Sequence, residues 1–117
     1  MRAFQLADEM VILIYRLTLN FPREEIYGLC SQMRRAGVSV ASNIVEGSSR
    51  RTEKEYYRFL EIAFGSLREL HYQFNLSICL GYIKIEEATV CRLKIEETEK
   101  VLFGLLLSLR KNQTPST

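Results

Sequence analysis

Four apolar stripes run along this chain at steps of three and four residues, and each is stopped by a proline, a glycine or a short polar turn. That spacing places one greasy face on each of four helices, and such faces are satisfied by packing helix on helix. In the first segment Ala7, Met10, Ile14, Leu17 and Phe21 keep the rhythm, predicting a helix from about Ala3 to Leu19. Pro22 disfavours helix at the residue before it and suits a helix start after it, so Asn20 to Arg23 reads as the turn. Ile26, Leu29, Met33, Ala36, Val40 and Asn43 carry the second stripe to Gly47, where a left-handed glycine cap would end the helix. Asn43 is the clearly polar member of that stripe.

The third segment opens on Thr52 with Glu55 three residues later, the pattern of a capping box in which each side chain takes a free backbone N–H. Tyr56, Leu60, Ala63, Leu67, Leu70 and Phe74 continue to Cys79-Leu80-Gly81, which predicts the longest helix of the chain, about 28 residues and ~42 Å. After a tight connection at Tyr82-Ile83-Lys84, the residues Ala88, Cys91, Ile95, Thr98, Leu102, Leu105 and Leu109 mark the fourth helix. Connections this short force neighbours antiparallel. The expectation is therefore an all-α, up-down-up-down antiparallel four-helix bundle over residues 1–111, with a disordered tail at 112–117. Tyr57, Phe59, Ile62, Phe103 and Leu106 add apolar surface beyond one seam, which predicts a homo-oligomer.

The 117 residues suffice for one core, and neither apolar run, Met10 to Tyr15 or Val101 to Leu109, approaches the ~18 residues of a membrane span. No export or membrane insertion is implied. Cys30, Cys79 and Cys91 form no C-x-x-C pair, and read as reduced thiols buried as small hydrophobes in a cytoplasmic protein. The lone His71 stands as Glu69-Leu70-His71 rather than in the Glu-x-x-His spacing of di-iron bundles, so a structural or surface role is expected and no metal site. Phosphate-loop, dinucleotide, nucleophile-elbow and HExxH motifs do not occur. The expectation is a non-enzyme without a cofactor.

A net charge of +2 does not announce a nucleic-acid binder, yet its distribution is uneven. Between Gln32 and Arg58 six basic residues (Arg34, Arg35, Arg50, Arg51, Lys54 and Arg58) face three acidic ones (Glu46, Glu53 and Glu55). Arg50 and Arg51 precede a helix N-terminus, where the dipole already favours an anion and Ser48 and Ser49 can add donors. Solvated ion pairs with Glu46 and Glu53 are the plainer reading for one copy, and each is worth little. Several copies around a ring would sum the patch into a field able to hold RNA or DNA. Ser39, Asn43 and Glu46, at i, i+4 and i+7, read as a buried polar network that fixes helix register, with Arg35 or Arg68 neutralising Glu46 and with Glu69 in a similar inter-helix link.

The run Phe21-Pro22-x-x-Glu25-x-Tyr27-Gly28-Leu29, then Gln32-Met33-Arg34-Arg35-Ala36, Ser39-Val40-x-x-Asn43-Ile44-Val45-Glu46-Gly47 and Tyr57-Arg58-Phe59-Leu60-x-Ile62-Ala63-x-Gly65-Ser66-Leu67-x-Glu69-Leu70, resembles the four-helix-bundle proteins encoded in intervening sequences of bacterial 23S ribosomal RNA genes. It departs from them at Ala41, where members often carry a proline. The resemblance implies a homopentameric barrel of bundles in a bacterial cytoplasm and no enzymatic activity. It points also to the related accessory variability protein of diversity-generating retroelements, which has a basic surface and works with nucleic acid and a reverse transcriptase. On this chain it implies Arg34, Arg35, Arg50 and Arg51 as nucleic-acid contacts and Asn43, Glu46 and Glu69 as structural. The competing expectation is a protein–protein scaffold or accessory subunit with no direct nucleic-acid role.

Overall fold

The computed structural model describes residues 1–113, with side chains through Asn112. Its helices are α1 (Arg2–Thr18), α2 (Leu29–Ser48), α3 (Glu53–Cys79) and α4 (Ile85–Gln113), with a short 3-10 turn at Arg23–Glu25 between α1 and α2. Each helix packs on two neighbours in the cycle α1–α2–α3–α4–α1, with the diagonal backbones standing farther apart. The result is a square up-down-up-down bundle, 53 Å long and 23 Å across. Among the described residues there is no strand.

The predicted stripes meet at the centre. Met10, Ile14, Met33, Val40, Leu60, Ala63, Leu67, Leu70, Phe74, Ile95 and Leu102 are fully enclosed. Two polar residues share that core by bonding to their own helix: Ser77 donates to the Gln73 carbonyl at 2.8 Å and Thr98 to the Lys94 carbonyl at 2.7 Å. Such back-bonding satisfies each hydroxyl within its own helix, and the Ser77 hydroxyl also lies 3.3 Å from Met33 Sδ across the α2–α3 seam. Tyr82 closes the turn end: its ring lies 5.4 Å from that of Phe21 and its hydroxyl donates to Glu25 at 2.9 Å.

Local signals hold at several ends. Thr52 caps α3 by accepting the Glu55 N–H at 3.1 Å. Glu55 answers through its carboxylate, which takes the Thr52 hydroxyl at 3.4 Å, in place of the expected backbone N–H. Gly81 has φ +80 and turns the chain after α3, as a left-handed glycine should.

Other expectations are corrected. Gly47 is no cap: it is buried one residue before the end of α2, and a Cβ there would fall 2.8 Å from Phe59 Cβ and 3.0 Å from Tyr56 Cδ1. It is a close approach of α2 to the Tyr56 and Phe59 side chains of α3. The second helix starts later than expected because Pro22 launches the 3-10 turn, and Ile26 stays half-exposed outside the stripe. Ile44, not Asn43, carries the α2 stripe into the core. The longest helix is α4, at 29 residues against 27 for α3. It runs through Asn112 and Gln113, which the sequence reading assigned to a tail; residues 114–117 lie outside the described residues. Leu106 belongs to the core, while Ile62 and Phe103 stay exposed. Cys30 and Cys91 are buried, but Cys79 is exposed at the end of α3.

Candidate functional site

The α2–α3 corner, the start of α1 and the end of α4 come together at one end of the bundle. The Tyr56 hydroxyl reaches Met1 Sδ at 3.9 Å, Arg110 Nε donates to the Tyr57 hydroxyl at 3.1 Å, and Asn112 donates to Glu53 at 3.1 Å. This end gathers Arg50, Arg51, Lys54 and Arg58 with Arg110 and Lys111 of the last turn of α4. The two α4 cations were not among the candidates read from sequence. They join the corner only through the fold, across more than fifty residues of chain, and a basic last helical turn was the available signal.

The six predicted basic residues divide three ways. Arg34 is built into the fold: Nε donates to Thr18 Oγ1 at 2.9 Å, Nη2 donates to the Tyr15 carbonyl at 3.2 Å, and the guanidinium lies 4.6 Å over the Tyr15 ring. Arg35 sits on the same stretch of α2, ~20 Å along the helix axis from the end that meets the corner by helical rise. The structure therefore does not unite Arg34 and Arg35 with the other four. Arg50 folds back, donating to the Glu46 carbonyl at 3.2 Å, pairing with the Glu46 carboxylate at 3.6 Å and lying 5.0 Å from the centre of the Phe59 ring. Arg51, Lys54 and Arg58 remain exposed at the corner, and no ion pair engages them among the described residues. Lys54 and Arg58, four residues apart on α3, share a face.

The carboxylates at this end are already occupied. Glu46 holds Arg50, Glu53 takes the Asn112 amide and Glu55 takes the Thr52 hydroxyl. Elsewhere acidic side chains tie helices together: Glu9 to Lys94 at 2.7 Å, Glu97 to Arg2 at 2.8 Å, and Glu99 to Arg68 at 2.8 Å and His71 at 2.9 Å. The largely buried Glu99 carboxylate joins α4 to α3 through both partners, which gives His71 a structural place. Hydrogen bonding to Glu9 raises the Lys94 pKa against the opposing pull of burial.

The predicted polar network is smaller than expected. Ser39 and Ser66 hydroxyls meet at 2.8 Å across the α2–α3 seam, and Asn43 donates to the Ser39 carbonyl at 2.8 Å and hydroxyl at 3.1 Å. Glu46 is outside it, exposed and paired with Arg50, so neither Arg35 nor Arg68 neutralises it. Glu69 is exposed and accepts from Gln73 of its own helix at 3.1 Å, and among the described residues it makes no hydrogen bond or ion pair to another helix. Among the described residues no three His, Cys, Asp or Glu side chains are placed to hold a metal, and no helix is long and apolar enough to cross a membrane.

A crystal structure of a protein of unknown function from the S23 ribosomal protein family, from Bacteroides thetaiotaomicron, superposes with a TM-score of 0.79 at 22% identity, covering 89% of this chain and 97% of that one. At that identity the likeness is one of fold. No protein with a curated description matches the sequence. The family model described as 23S rRNA-intervening sequence protein matches residues 1–104, and the chain belongs to that family.

Proposed function

We propose that this protein is a non-enzymatic, oligomeric helical bundle that binds structured RNA, or related nucleic acid, through phosphate contacts at its basic end. The observation that carries the reading is the convergence there of Arg51, Lys54, Arg58 and Lys111 without ion-pair partners among the described residues, while the nearby carboxylates are taken by other groups. Cations on three chain segments follow a phosphate backbone without reading bases. Arg34 leaves the proposed contact set because its guanidinium is spent within the fold.

Oligomer formation is supported by the outward side of α4. Leu93, Phe103 and Leu107 are 60%, 47% and 41% exposed, and Phe103 stands 5.7 Å from Phe64 of α3. We take the assembly to be a homopentamer in a bacterial cytoplasm, with the basic ends of five copies acting together. A reverse transcriptase enters as a partner only for the retroelement accessory subtype.

Gel-shift titration of folded ribosomal RNA fragments tests the reading, with light scattering of the same sample for copy number. Binding at low salt, weakened in the Arg51→Ala/Lys54→Ala/Arg58→Ala variant with its assembly intact, is the expected result. Absence of binding even at low salt would shift support to a protein–protein scaffold, RNA binding indifferent to the three substitutions would refute the basic end as the contact surface, and a monomer would remove the summed field.

A further inference from the structure

Beside the α1–α2 turn, toward the opposite end of the bundle, lies a groove of about 660 Å³, within the size range of small-ligand sites. Its wall carries Arg23, Arg34 and Arg35, and its aromatic lining is Tyr15, Phe21 and Tyr27. Among the described residues no carboxylate lines it. The two acidic residues of the adjoining 3-10 turn do not compensate. Glu25 is turned to the Tyr82 hydroxyl at 2.9 Å and to the Leu29 N–H at 3.0 Å, and Glu24 is outside the lining. Because Glu25 already occupies the start of α2, an anion in this groove would be held by guanidinium groups and not by a helix terminus.

The aromatic part is equally specific. Tyr27 is 96% exposed, so its ring contributes nothing to the core and is offered to solvent on both faces. Arg34, fixed over Tyr15 at 4.6 Å, sets one cation rigidly in the wall, while Arg23 and Arg35 are exposed and unpaired among the described residues. We infer that this groove binds an unpaired nucleotide of a nucleic-acid strand, its base stacked on Tyr27 and its phosphate met by Arg23 and Arg35. Stacking on an exposed aromatic beside cations is how single strands are held without base-edge readout. The inference rests on the nucleic-acid reading above and adds a second, chemically different contact: unpaired nucleotides at the turn end, phosphates at the basic end.

Fluorescence anisotropy with a labelled single-stranded RNA octamer and with a duplex of equal length separates the two contacts. Tyr27→Ala weakens the single strand about tenfold, the size expected for one base–aromatic stack, while Tyr27→Phe binds as wild type. Arg23→Ala/Arg35→Ala weakens it and flattens its salt dependence. Duplex binding follows Arg51, Lys54 and Arg58 and ignores Tyr27. Three results would overturn the assignment: no single-strand binding by the wild type, equal binding by Tyr27→Ala, or displacement by an acidic octapeptide as effective as by unlabelled octamer. The basic-end reading fails separately, if the duplex does not bind or is indifferent to the Arg51, Lys54 and Arg58 substitutions. Exposure of Tyr27 keeps its variants folded, which circular dichroism checks.

Discussion

Replacing three helical glycines in turn by alanine yields opposite signs from one chemical change. In α2, the Cβ of Gly47→Ala meets Phe59 Cβ at 2.8 Å and Tyr56 Cδ1 at 3.0 Å, several tenths of an ångström inside ordinary contact. The Phe59 atom is rooted next to the α3 backbone, so relief requires α3 to move away from α2. Overpacking of that kind costs about 1–3 kcal/mol, and the better helix propensity of alanine returns about 1 kcal/mol. The net loss is about 1 kcal/mol. In α3 and α4, Gly65 and Gly104 have nothing within 4 Å of their added Cβ, so propensity acts alone and each substitution stabilises by up to ~1 kcal/mol. For a domain of this length 1 kcal/mol corresponds to roughly 4 °C, so Gly47→Ala and Gly65→Ala differ by ~8 °C in melting temperature. Thermal denaturation followed by circular dichroism reads the difference directly. A Gly47→Ala protein as stable as Gly65→Ala would refute the close approach and restore the sequence reading of Gly47 as a cap.

Three further outcomes follow from the side-chain geometry. Arg34→Ala removes two hydrogen bonds and the contact with Tyr15, lowering urea stability by about 1–3 kcal/mol with duplex RNA affinity unchanged; loss of affinity with unchanged stability would return Arg34 to the binding surface. Cys79 is exposed, whereas burial pushes the Cys91 thiol up to about 12, so alkylation at pH 8 labels Cys79 first and Cys91 only after unfolding, as peptide mass mapping would show. The hydrogen bond to Glu25 raises the Tyr82 pKa above its usual 10, so the contribution of this group is complete below pH 10 and is lost as pH rises through the higher folded value. Tyr82→Phe flattens that alkaline decline in stability; an unchanged slope would show that the Tyr82–Glu25 bond does not form in solution.

The bundle was legible because its core obeys one period: Met10, Ile14, Leu60, Leu67, Leu70, Phe74, Ile95 and Leu102 are both the predicted stripe and the enclosed centre. Thr52 was legible for the related reason that a cap acts within three residues. Features that depend on a second helix were not. A glycine near a helix end is the same letter whether it turns the chain or admits a neighbour, and only the position of Phe59 distinguishes them. Arg34 looked like a surface cation because its partners, Tyr15 and Thr18, lie on the preceding helix. Glu99 gave no local hint that Arg68 and His71 would converge on it. Of the candidate site, the α2–α3 cations were visible as a charge run, whereas Arg110 and Lys111 entered through the antiparallel topology.

The salt dependence of duplex RNA affinity tests the central claim most directly, measured by anisotropy from low to moderate salt on the wild type and on Arg51→Ala/Lys54→Ala/Arg58→Ala. Phosphate binding at the basic end predicts a log–log line falling steeply for the wild type and shallower by about one for each phosphate contact removed from the variant. Wild-type affinity that does not change with salt, or identical slopes for the two proteins, would contradict it.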